Sequence, residues 1–210
     1  MSSASLYRLS GMILLIGVIV RIVSAIIPFL VSVNIQTESE DLQDPLVAAY
    51  YSLTFVSFSL IIIGLPAMYL RQSANSGKLG LTGLLIYIAG TLLDIACIAT
   101  FTTVMPLLSE KSPELVDAVL DSNFAIFPLG AFLLCFLGAI LLGIAVIKAK
   151  VFPAYVGALF IASPILYVLS SIIGNDIGGA IFNSLTAIAL GIALGKVGLS
   201  LASTRRDVSP

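Results

Sequence analysis

The chain has 210 residues, 59% of them hydrophobic and only 10% charged, and its ten basic and eleven acidic side chains leave a net charge of −1. The mean hydropathy is +1.14; against roughly 25% charge in a soluble domain, there is too little polar surface here to cover a globular core in water. The absence of histidine removes the commonest general base and the commonest metal ligand, and with them most zinc, haem and triad chemistries.

Apolar runs long enough to cross about 30 Å of hydrocarbon at about 1.5 Å per residue lie near 11–33, 46–70, 81–105, 124–147, 154–173 and 180–201. Runs of this length without dyad alternation satisfy their own backbone as helices, not as barrel strands. The expectation is an all-α fold: a six-helix transmembrane bundle forming one domain over 1–210. At the first run a signal peptide competes, with Arg8 as its basic region, Gly11 to Val20 as its apolar region and Val23-Ser24-Ala25 as a small-residue cleavage site. Three features weigh against it: the apolar run continues through Val33, Arg21 would interrupt the passage from the signal's apolar region to its cleavage region, and removal would leave an odd number of helices.

The segments between the runs alternate in charge. Arg71 and Lys78 in the second loop, Lys148 and Lys150 in the fourth, Arg8 before the first run and Arg205 and Arg206 after the last belong to one side. The other side receives Glu38, Glu40, Asp41 and Asp44, then Glu110, Lys111, Glu114, Asp117 and Asp121, then Asp176. The positive-inside rule puts both termini in the cytoplasm, the N-in/C-in topology. Within the outer loop 109–123, Ser112 can cap a short amphipathic helix starting at Pro113, with Leu115, Val116, Val119 and Leu120 as its apolar stripe. The acidic loops lack the ligand spacing of a calcium site and read as ordinary outer-face sequence.

Two charges fall inside the runs. Arg21 lies about 15 Å from either end of its span, too deep to snorkel, and a guanidinium cannot shed its proton. Asp94 is the only other ionisable residue at depth, about 5 Å away in height on a helix of the same direction, so an Arg21–Asp94 pair is expected. Gly17, Arg21, Ser24, Ala25 and Pro28 share one helical face, leaving most isoleucines of that span for lipid; Gly80, Gly83, Tyr87, Gly90, Thr91, Asp94 and Cys97 share another. Ser24, Tyr87, Thr91 and Asn183 are candidates to surround the pair, and Gly191 with Gly195 forms a Gly-x-x-x-Gly packing motif. Hydroxyls at Tyr50, Thr54, Ser57, Ser163, Tyr167, Ser170 and Ser171 either extend a polar cavity or bond to their own helix backbone. Pro164 should kink the fifth helix and free the carbonyl of Phe160. Cys97 and Cys135 sit in apolar runs as buried thiols, not as a redox pair.

Gly64-Leu-Pro-Ala-Met-Tyr-Leu-Arg-Gln72 with Gly77-Lys-Leu-Gly-Leu-Thr-Gly83, and Lys148-Ala-Lys-Val-Phe-Pro-Ala-Tyr-Val-Gly157, resemble the inner turns of uncharacterised bacterial multi-span membrane proteins. The resemblance covers these two turns and implies a helical bundle in a prokaryotic cytoplasmic membrane, with no activity attached.

The functional expectation is interaction, sensing or regulation, with Arg21 and Asp94 joining the first and third helices; the alternative is a small-solute transporter or proton-coupled permease using the same charges. An enzyme is disfavoured because Asp94 has no second carboxylate or histidine for acid–base work and neither cysteine has a base nearby in sequence. No cofactor, metal or nucleic acid is expected. The lipid bilayer is the first partner, a homo-oligomer or another membrane protein the second, and any small-molecule ligand is left unidentified by the sequence.

Overall fold

The computed structural model describes residues 3–30, 41–173 and 177–203, and among them every regular element is helical. The elements are α1 (Ser3–Leu30), α2 (Pro45–Lys111), α3 (Pro113–Leu120), α4 (Ile126–Ala149), α5 (Ala154–Ile173) and α6 (Ile177–Ala202), with 3-10 turns at Asp41–Gln43 and Asn123–Ala125. Glu38, Glu40, Asp176, Arg205 and Arg206, used above to argue sidedness, lie outside the described residues.

Four of these helices are long and apolar enough to cross a membrane, and α5 contributes a shorter apolar stretch. The six runs read from the sequence correspond to six helical segments because α2 is two of them. A continuous helix of its 67 residues would be about 100 Å long, yet the rings of Tyr51 and Phe101 stack at 5.3 Å. The element is therefore a hairpin, folded at Gly77, whose backbone (φ 55°, ψ −149°) lies in a region essentially open to glycine alone. A longer loop is expected at this turn; instead both arms stay helical up to Gly77. Polar side chains before the turn tie it down: Arg71 donates to the Ser200 carbonyl at 2.8 Å and Asn75 to the Ala149 carbonyl at 3.2 Å. Nothing lies within 4 Å of a methyl built on Gly77, so Gly77→Ala is a pure backbone test. It should cost about 1–3 kcal/mol, read as a lowered Tm of the purified protein.

The hairpin also fixes height. Gln43 Nε2 donates to Ser109 Oγ at 3.4 Å and Tyr51 stacks on Phe101, so each step up the first arm is matched by a step down the second. Continuing that register sets Phe58 level with Asp94.

The segments close a ring: α1 packs between the first arm of α2 and α6, α6 against α5, α5 against α4, and α4 against the second arm of α2. Small residues make the seams. A methyl on Gly11 would fall 2.6 Å from the Gly198 carbonyl oxygen, which marks the tight α1–α6 crossing. The Gly-x-x-x-Gly pair chosen from the sequence sits on the same seam but more loosely, Gly191 facing Ile22 and Val18, and Gly195 reaching Val18 only at 4.0 Å. The motif thus packs within the chain, and the closest contact lies at Gly198. Outward, α1 presents Ile16, Ile19, Ile22 and Ile26, as its helical periodicity requires, while Ile27 turns inward.

Apolar burial comes in two clusters. The larger joins Leu14, Ile61, Leu65, Met68, Leu142 and Phe160 with residues of α6 such as Leu194 and Val197. The smaller, at the end bearing the acidic loops, joins Leu42, Met105 and Val116. Val116 is how α3 docks on the bundle. Ser112 stands at the N-cap of α3 but forms no side-chain cap hydrogen bond; its N–H instead closes α2 on the Leu108 carbonyl. In α5 the carbonyl of Phe160 that Pro164 cannot serve accepts a hydrogen bond from Ser163 Oγ at 3.2 Å, so the proline's missing donor is replaced locally.

A charged layer inside the bundle

Between the two apolar clusters lies a layer of polar side chains drawn from most of the ring. Arg21 of α1 is 9% exposed. Its Nη1 donates to Ser24 Oγ at 3.0 Å, and the Ser24 hydroxyl donates in turn to the Arg21 carbonyl at 2.8 Å. The same serine is one turn along the helix, where the shared face predicted from the sequence places it. The guanidinium carbon stands 5.6 Å from the Phe58 ring centroid, a cation–π contact with the first arm of α2.

Asp94, half-buried on the second arm, lies level with Phe58 and interacts electrostatically with Arg21. Among the described residues the guanidinium makes its hydrogen bond to Ser24, not to Asp94, so the two charges share a height and a field without a direct ion pair. One turn of helix offers Arg21 a hydroxyl, and the guanidinium stands beside the Phe58 ring of the first arm.

Other groups couple electrostatically to the carboxylate. Tyr87 from the same arm, Cys135 from α4 and Tyr167 from α5 are all within its electrostatic reach, and Tyr87 and Tyr167 also sense Arg21. Thr91 is buried, but its hydroxyl proton is used on the Tyr87 carbonyl at 2.8 Å. The Cys135 thiol, 3.7 Å away, is then left as the donor to Thr91 Oγ1. Phe132 and Tyr167 lie with their rings 5.6 Å apart, fixing the tyrosine against α4. The side chains of Asn183, Ser170 and Ser171 lie outside the described residues.

Many of the hydroxyls are spent on their own helices: Thr54 on Tyr50, Ser57 on Thr54, Thr102 on Ile98 and Thr103 on Ala99. Such back-bonding satisfies the hydroxyl at little cost and leaves the two charges as the principal polar groups of the layer. Among the described residues no group of three or more histidine, cysteine, aspartate or glutamate side chains could hold a metal ion.

Sequence reasoning passed over three residues. Ser184 of α6 donates to the Ala25 carbonyl at 3.1 Å and ties the last helix to the face that carries Arg21. Gln72 is fully buried at the basic end, and both of its side-chain amide atoms, together with Ser76 Oγ, have no hydrogen-bond partner among the described residues. A signal was present, since Gln72 follows Leu65 and Met68 at helical spacing on the buried face. Because an orphaned buried polar group costs about 1–3 kcal/mol, Gln72→Met, of similar length, should raise Tm. An unchanged or lower Tm would show that the amide is satisfied in solution.

The fold and this layer define a class: an all-helical chain with several helices capable of spanning a membrane and with charge enclosed at their mid-length. Compared with protein-family models, curated proteins and solved structures, the chain matches none.

Proposed function

We propose that this chain is a multi-span protein of a bacterial cytoplasmic membrane, with both termini in the cytoplasm, and that it works by interaction, sensing or regulation without catalysis. The observation that carries this reading is Arg21: a guanidinium buried between α1 and the first arm of α2, sharing its height with Asp94 but, among the described residues, hydrogen-bonded to Ser24 alone. An arginine bound for stability alone would be matched fork-to-fork by its carboxylate, since a buried charge pair with incomplete hydrogen bonding is weaker than apolar packing. Charges held in one field yet apart form a centre whose energy responds to whatever enters between them, as a sensor or a recognition site requires. The same separation favours the second reading, a small-solute permease, because a transported species would need both groups free. Enzyme chemistry finds less support, since among the described residues no second carboxylate couples to Asp94 and Cys135 is engaged with Thr91.

Sidedness rests on Arg8, Arg71, Lys78, Lys148, Lys150 and Lys196 gathering at one end of the bundle while Asp44, Glu110, Glu114, Asp117 and Asp121 gather at the other. Fusions of alkaline phosphatase, which is active only outside the cytoplasm, test it. Fusions after residues 78 and 150 should be inactive and those after 44 and 117 active; the reverse pattern would invert the topology.

A further inference from the structure

We infer that Arg21 and Asp94 together bind a small zwitterion, whose anionic group meets the guanidinium and whose ammonium meets the carboxylate. This rests on the reading of those two residues as the protein's working centre. The argument is one of unfilled valence. A guanidinium has five N–H donors in a fixed fork, and in Arg21, itself more than nine-tenths buried, one of them is placed on Ser24 while the guanidinium carbon stands 5.6 Å from the Phe58 ring centroid. Asp94 accepts no hydrogen bond among the described residues, although the hairpin register sets it level with Phe58 and so with the arginine above that ring. Arg21 is buried with most of its donors unused and Asp94 is half-buried without a hydrogen bond; what relieves both at once must carry an acceptor at one end and a donor at the other.

Charge selects among such ligands. A simple anion gains Arg21 but meets the field of Asp94, and a simple cation meets the opposite conflict. A molecule bearing both charges, in the order opposite to the site, satisfies each without changing the net charge of the layer. This chemistry has two sources, a free amino acid or the headgroup of an ethanolamine phospholipid.

Thermal unfolding of the detergent-purified chain separates them. Glycine and phosphoethanolamine serve as free probes, phosphatidylethanolamine as the lipid, and acetate, ethylammonium and phosphatidylglycerol as singly charged controls. The expected result is a concentration-dependent rise in Tm with at least one zwitterion and with none of the controls. Arg21→Lys, which keeps the charge and loses the fork, should weaken its apparent affinity about tenfold or more. The Arg21→Met/Asp94→Asn double variant should show no rise. A response to phosphatidylethanolamine alone assigns a lipid headgroup, and one to glycine or phosphoethanolamine a soluble metabolite. Equal stabilisation by acetate, or a rise retained in the double variant, overturns the inference, as does a flat response to every probe. If the probes fail while the two charges still show energetic coupling in probe-free buffer, the zwitterion falls and the working pair stands; if the coupling is also absent, both fall.

Discussion

Asp94→Asn should destabilise the folded protein by about 1.5–3 kcal/mol, the upper range of coupling within one polar network, because it removes the counter-charge from a buried guanidinium. Arg21 would keep its positive charge in a setting that offers it one serine hydroxyl and one aromatic face. It has no chemical escape, because a guanidinium stays protonated under any condition in which the protein is folded. The reciprocal variant, Arg21→Met, should cost less. It strands a carboxylate that can take up a proton and become neutral, on a side chain less buried than Arg21. The asymmetry is the informative part, and folded yield with Tm in the same detergent measures it. Equal losses would mean that the layer is wet enough for either charge to stand alone.

The second large effect concerns the seam that positions the carboxylate. A methyl on Gly138 of α4 would fall 2.5 Å from the Tyr87 backbone nitrogen and 2.6 Å from its Cα, and one on Gly90 would fall 2.6 Å from the Cys135 nitrogen. These are backbone atoms on both sides, so no rotamer change can relieve the clash and the two helices must separate. Gly138→Ala should therefore cost about 3 kcal/mol, the upper end of the usual overpacking penalty. It should also break the Thr91–Cys135 contact, which spans the same seam at 3.7 Å. Gly130→Ala is the control, because a methyl there meets only Leu93 Cδ1 at 3.9 Å and should leave Tm almost unchanged. Both are read by thermal unfolding. If the Gly130 variant loses as much as the Gly138 variant, the effect belongs to glycine replacement in α4 generally and not to the seam.

Much of the helical architecture was legible in the residues because it follows from apolar run length and from the 3.6-residue period. The inward face of α1, with Gly17, Arg21, Ser24 and Ala25 buried and Ile16, Ile19, Ile22 and Ile26 turned out, is a consequence of spacing alone. So is the stripe from Gly80 to Cys97 on the second arm of α2. The carbonyl freed by Pro164 was equally readable, although the identity of its new donor, Ser163, was not. What spacing cannot supply is which helices meet. Gly11 and Gly198, the tightest point of the α1–α6 crossing, look in sequence like any other glycines, while the recognisable Gly191 and Gly195 pair packs more loosely. The turn at Gly77 was hidden for another reason: its arms continue as helix through polar residues, so hydropathy ends the spans several residues before the backbone does. The charged layer was legible as two depths but not as a bonding pattern. Depth is a property of position along a helix, whereas the choice of Ser24 over Asp94 depends on rotation and on the Phe58 ring supplied by a neighbour.

The claim on which the account turns is that Arg21 and Asp94 compensate one another across the bundle interior. A double-mutant cycle on unfolding free energy, built from Arg21→Met, Asp94→Asn and the combined variant, measures that directly. The combined variant is expected to be more stable than Asp94→Asn alone, with a coupling of at least about 1.5 kcal/mol. Losses that simply add, within about 0.5 kcal/mol, would show two charges that do not sense each other and would contradict it.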